Sequence, residues 1–243
     1  GASWDLLTDG GNGIPASTPV RTVREDPERQ GLLYAGTEFG VYVSFDDGAH
    51  WQSLQLDLPI TPVTGMKVHR DDLVISTQGR SFWILDDVSP LRELSAELAQ
   101  ADAHLFAPRP AWRANMSGAS EDNRTIEGPP AGATIHYALG EEATGQRINL
   151  EIVGSGDEII RSFFSAAEGT EPGEQPGDEP ALPAEPGLNR FVWDLRYPSP
   201  EIPDGVQVWG YAGGPKALPG TYTVRLWVGD ADTPLTQQLD VRL

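Results

Sequence analysis

There is no cysteine in the 243 residues, which excludes disulfide staples, thiolate metal ligands and cysteine nucleophiles. Compartment stays open, since exported chains also dispense with cysteine. Basic residues are scarce: 17 Lys and Arg stand against 36 Asp and Glu, a formal charge of −19. Without clustered Lys and Arg there is no footprint for a nucleic-acid backbone or an anionic membrane surface. No apolar run approaches the roughly 18 residues of a membrane span. The opening "GASWDLLTDGG" lacks a basic n-region and an apolar h-region, so no signal peptide is read there. Long amphipathic periodicity is almost missing as well. The four histidines, His50, His69, His104 and His136, show neither i, i+4 pairing nor an HExxH arrangement, and no metal or cofactor is expected.

What the chain does have is glycine (27) and proline (21) between short β-rich runs, and seven tryptophans. That pattern predicts an all-β protein. "LLYAGTEFGVYVSFDD" from Leu32 aligns without a gap on "DLVISTQGRSFWILDD" from Asp72, an offset of 40 residues. Each is preceded by a further short strand, "RTVRED" (Arg21–Asp26) and "MKVHRD" (Met66–Asp71). Fourth strands are expected at "HWQSLQL" (His50–Leu56) and "VSPLREL" (Val88–Leu94). Four short strands per unit at a period near 40 are the pattern of a β-propeller blade. Two blades cannot close a ring, because each blade buries its faces only against neighbours. The expectation is therefore an incomplete propeller, completed by upstream blades of the same polypeptide.

Within the first repeat, "SFDDGAHW" (Ser44–Trp51) fits Ser-x-Asp-x-Gly-x-x-Trp. Asp46 is expected to accept hydrogen bonds from the backbone of the turn that follows. Gly48 supplies a positive φ, and Trp51 covers the hairpin. This makes Ser44, Asp46, Gly48 and Trp51 a structural set rather than a catalytic one. A calcium site is the sharper alternative, but calcium wants six or more oxygens and no spaced carboxylate series surrounds this one. In the second repeat "TQGRSFW" (Thr77–Trp83) puts Gly79 and Arg80 in a turn. Arg80 is a candidate ligand contact, the alternative being a pair with a carboxylate of a neighbouring blade.

"SAELAQADAHLF" (Ser95–Phe106) reads as the one helix, closing a first domain at residue 106. Residues 107–132, rich in Pro, Gly and small polar residues, read as a linker. From 133 to 243 the runs "ATIHYALG", "QRINLEIVGS", "EIIRSFFSA", "LNRFVWDLRYP", "GTYTVRLWVGD" and "TQQLDVRL" predict an immunoglobulin-like or fibronectin-like β-sandwich. Between them, residues 168–187 hold six carboxylates and five prolines, which predicts a disordered, solvated loop. Trp209 and Tyr211, in a Gly-rich stretch, are candidate sugar-stacking rings, the alternative being a cap on the sandwich core.

These motifs, in this order, resemble the C-terminal region of bacterial sortilin-like, Asp-box (BNR) repeat proteins, often labelled glycosyl hydrolases. "PGTYTVRLWVGD" also resembles the Ig-like domain of flagellar hook-capping proteins. The resemblance implies a periplasmic or extracellular propeller protein that binds a polypeptide or a carbohydrate. It transfers only Ser44, Asp46, Gly48 and Trp51, with His50 where Thr is usual, and no catalytic residue. The expected function is a non-catalytic binding or scaffold module. The alternative is a glycoside hydrolase fragment whose active site upstream blades complete.

Overall fold

A computed structural model describes residues 8–113, 131–143, 145–166, 180–200 and 213–243. The chain divides between Arg92 and Glu93 into two compact units. It is all-β: an incomplete propeller of two blades, then a β-sandwich.

The first blade is a meander of β1 (Val20–Glu25), β2 (Leu33–Thr37), β3 (Val41–Ser44) and β4 (Gln52–Ser53), neighbours in that order. The second has three strands, β5 (Val63–His69), β6 (Asp72–Thr77) and β7 (Phe82–Leu85). Alternation within the strands gives each blade two faces. Tyr34, Val41 and Val43 of the first blade share a core with Met66, Leu73 and Ile75 of the second. Trp83 and Leu85 pack against that core. The opposite face of the first blade, with Leu33, Ala35 and Tyr42, is met by Ile14 and Trp51. Gly36 lies where the second blade's Val63 comes close to the first. A Cβ there would stand 2.5 Å from Val63 Cγ1 and 2.8 Å from Thr22 Cγ2.

The gapless repeat slips by one residue at the third strand. Leu33 pairs with Ser44, whereas Leu73 pairs with Leu85. The structural counterparts of Val41 and Val43 are therefore Phe82 and Ile84. The extra residue sits in the β6–β7 turn, where Gly79 and Ser81 both take positive φ. The expected fourth strand at Val88–Leu94 is replaced by α1 (Ser89–Glu93). Asp87 turns the chain with φ 61° and accepts hydrogen bonds from the Ser89 N–H and hydroxyl. Pro90, with no N–H to give a ladder, fits a first helical turn instead.

The sandwich packs a three-stranded sheet on a five-stranded one. The first is ordered β13 (Gly187–Trp193), β10 (Ala133–Leu139), β8 (Ala103–Leu105). The second runs β12 (Ile159–Phe164), β11 (Ile148–Val153), β14 (Gly220–Val228), β15 (Leu235–Arg242), β9 (Ala111–Trp112). Ile135, Phe191 and Trp193 from one sheet share a core with Leu150, Ile152, Val224 and Leu226 from the other. Two buried rings of the sandwich keep their polar atoms bonded: Trp193 Nε1 donates to the Arg196 carbonyl at 3.1 Å, and the Tyr137 hydroxyl to that of Pro183.

Within the described residues, three stretches differ from the sequence expectation. In place of a helix over 95–106 there is one 3-10 turn, Leu98–Gln100, followed by β8. A lone short helix with a few alanines gains little, whereas the strand buries Leu105 and Phe106. Within the expected linker, Ala111 and Trp112 pair with Val241 and Arg242 as a parallel edge strand. Of the expected acidic loop, residues 168–179 lie outside the described residues, and at its end one side chain is buried. Leu182 enters the sandwich core and bridges Ser165, since it is the one large apolar side chain of that segment.

Candidate functional site

A meander sends its connections alternately to two ends, and the first unit treats them differently. One end carries the β1–β2, β3–β4 and β5–β6 turns and the start of α1. Here the Asp-box residues form a hydrogen-bonded knot. The Ser44 hydroxyl donates to Asp46 Oδ1 at 2.9 Å and accepts from the Gly48 N–H at 2.9 Å. Asp46 Oδ1 also accepts from the His50 N–H at 2.8 Å, and His50 Nδ1 lies 2.6 Å from Oδ2. Gly48 holds φ 87°. These bonds, the one from the His50 backbone foremost, hold the Asp46 carboxyl below the usual carboxylate range. The Trp51 ring is buried with Ile14 and Ala35, and the Trp51 backbone N–H donates to the Asn12 carbonyl at 2.7 Å. Every polar atom of Asp46 is thus engaged within its own turn.

The same end holds a cluster that sequence reasoning missed. Arg92 donates from Nε to Asp26 at 2.9 Å, and from one Nη to Glu28 at 2.9 Å and to Asp71 at 2.6 Å. The Asp26 side chain is wholly buried. It also accepts from the Glu28 and Arg29 N–H groups and from the Tyr34 hydroxyl. Arg29 in turn donates to the Leu91 and Arg92 carbonyls. Burial pulls the Arg92 guanidinium down, but the bonds to Asp71 and Asp26 outweigh it and its pKa ends above the ordinary value. Burial, then Asp26, pushes the Tyr34 phenol up. A signal was present: Asp26 and Asp71 close the matching runs "RTVRED" and "MKVHRD". What a single sequence does not reveal is that one arginine reaches both.

The opposite end is open. Hydrogen bonds tie its connections together in two places. The Leu54 N–H donates to the Val41 carbonyl at 2.8 Å, and Val41 N–H to Gln55 Oε1 at 3.4 Å. Farther along, the Gln78 N–H donates to the Pro62 carbonyl at 2.9 Å, and the Thr61 hydroxyl to the Gln78 carbonyl. Along this rim Phe39, Leu56 and Ile60 are each more than half exposed. Leu56 also holds φ 42°, a costly conformation for a branched side chain in solvent. Arg80 lies on the β6–β7 turn at this end. Its N–H bonds Thr77 Oγ1 and its carbonyl accepts from Trp83 Nε1 at 2.9 Å. Among the described residues no carboxylate pairs with its exposed guanidinium.

The structure thus places the Asp-box set and Arg80 at opposite ends of the blade pair. Trp209 and Tyr211 lie outside the described residues. Among the described residues no helix is long and apolar enough to cross a membrane.

The chain matches no protein-family model and no curated protein. Two solved structures are similar to it over 93% and 92% of its length, with 8% and 12% identity and TM-scores of 0.23 and 0.25. Both are the extracellular domain of BT4673 from B. thetaiotaomicron, described once as a one component and once as a hybrid two component system. The chain spans 25% and 30% of those chains. Superpositions that loose carry nothing about what this chain does.

Proposed function

We propose that this chain is a non-catalytic binding and scaffold module of an exported, sortilin-like propeller protein, with further blades supplied by the same polypeptide. Its ligand surface is the open rim, and its ligand is a polypeptide. The observation that carries the reading is that Phe39, Leu56, Ile60 and Arg80 all stand in solvent on connections at one end of the blade pair. The other end is instead tied shut by Arg92 and the Asp-box knot. Exposed apolar groups in a contiguous stretch, rimmed by polar ones, mark interaction surfaces. Aliphatic Leu56 and Ile60 suit apolar side chains of a peptide, while a glycan needs aromatic faces and many hydrogen bonds, so carbohydrate is the second choice.

The test is to probe peptide and glycan arrays with the chain and with a Phe39→Ser, Ile60→Ser, Arg80→Gln variant. Peptide spots lost by the variant and kept by an Asp46→Asn control support the reading. Spots that both variants retain would overturn it.

A further inference from the structure

The strongest unexplained feature is the turn that follows β4. In "LQLDL" (Leu54–Leu58), Leu58 is buried in the core the two blades share and Leu54 packs against it. Leu56, between them, stands 68% exposed. The Leu58 N–H donates to the Gln55 carbonyl at 2.9 Å, which closes a tight turn with Leu56 as its second residue. Leu56 holds φ 42° there, in the place that glycine fills in turns of this kind. A branched side chain in that conformation is strained, and the strain persists only where the surroundings over-determine it. Here the Gln55 side chain does so. Its Nε2 donates to the Leu58 carbonyl at 2.5 Å, and its Oε1 accepts from the Val41 N–H at 3.4 Å. Its amide fills the space beside Gly40, where a Cβ would collide with Oε1. Gly40 follows Phe39, and its carbonyl accepts from the Thr37 N–H at 2.8 Å and the Thr37 hydroxyl at 3.0 Å. One amide thus ties the turn that carries Leu56 to the turn that carries Phe39.

We infer that Gln55 is the positioning residue of the rim: it holds Leu56 in solvent, ready to receive an apolar side chain of the bound peptide. The inference rests on reading the rim as a peptide surface. A leucine on a loose turn must be ordered when a ligand packs on it, and that ordering weakens binding. With Gln55 in place the ordering is already part of the fold, and the fold is less stable for it. Leu54 and Leu58 fix the two ends of the turn in the core, so the amide has only Leu56 and Asp57 left to constrain. That explains why a large apolar side chain stands outward at a position that suits glycine.

Two measurements test it, and the first needs no peptide. Leu56→Gly relieves the strained φ and is expected to raise the melting temperature by about 2–5 °C. In a Gln55→Met background, where the amide bonds are gone and the turn is released, the same substitution brings no rise. An equal rise in both backgrounds shows that Gln55 does not hold the strain, and overturns the inference. The second measurement is calorimetric titration of the array peptide that the Phe39→Ser, Ile60→Ser, Arg80→Gln variant no longer binds. Gln55→Met is expected to raise its Kd about three- to tenfold. Once Leu56→Ser has removed the side chain it positions, Gln55→Met has no further effect. A merely structural Gln55 would weaken binding alike with and without the Leu56 side chain, which overturns the inference. Unchanged affinity in Gln55→Met, with binding still lost in the triple variant, overturns it too and leaves the rim standing. A parent chain that binds no array peptide overturns the rim reading and the role of Gln55 with it.

Discussion

At the residue scale, Asp46 shows how a motif that looks catalytic is used up by its own turn. Both carboxylate oxygens are engaged, by Ser44 and the His50 backbone on one and the His50 ring on the other. A carboxyl held below its ordinary pKa stabilises the fold at pH values above its unfolded value. That contribution fades as the pH falls through the lower, folded value. Asp46→Asn keeps an acceptor for the His50 N–H but loses the charge. The melting temperature of the variant is thus expected below that of the parent at neutral pH, and the gap should close below about pH 4. The gap is small, since the carboxylate is partly open to solvent. A pH-independent gap would show that the charge does not matter. The motif was legible in the sequence because the side-chain bonds of Asp46 are all local, between Ser44 and His50.

At the element scale, two features add to the apolar core the blades share, and neither was legible. Arg92 joins Asp26 and Glu28 of one blade to Asp71 of the other. Removing it strands the Asp26 carboxylate, buried without its cation. Arg92→Met is expected to cost about 3–5 kcal/mol, with part recovered by adding Asp26→Asn, as read from chemical denaturation. Gly36 is the second. Methyl groups of Val63 and Thr22 sit on stiff, branched side chains and cannot swing away from a new Cβ. Gly36→Ala should therefore cost about 1–3 kcal/mol, whereas in an open strand it would stabilise.

The strands themselves were readable from period-two alternation, as in "INLEIV" and "GTYTVRLWV", where buried residues alternate with less buried ones. Elements fixed by distant partners were not. β8 is three residues long and exists because β10 pairs with it, and β9 is two residues on the edge of β15. The one-residue slip in the second hairpin likewise escaped an ungapped alignment, because Phe82 and Trp83 both look apolar. Only the ladder decides which of them faces the core.

At the scale of the whole molecule, the blade pair is asymmetric. One end is closed by bonded charges and the Asp-box knot, and the other presents Phe39, Leu56, Ile60 and Arg80. The candidate site was half legible. Arg80 was visible as a turn arginine, but the exposed aliphatic residues were not, since apolar residues are read from sequence as core. The most direct measurement is calorimetric titration of the best array peptide into the parent chain and into the Phe39→Ser, Ile60→Ser, Arg80→Gln variant. The account predicts a heat-capacity decrease on binding to the parent, from apolar burial, and a Kd at least about tenfold weaker for the variant. Equal affinity for both chains would place the ligand elsewhere and contradict the assignment of the rim.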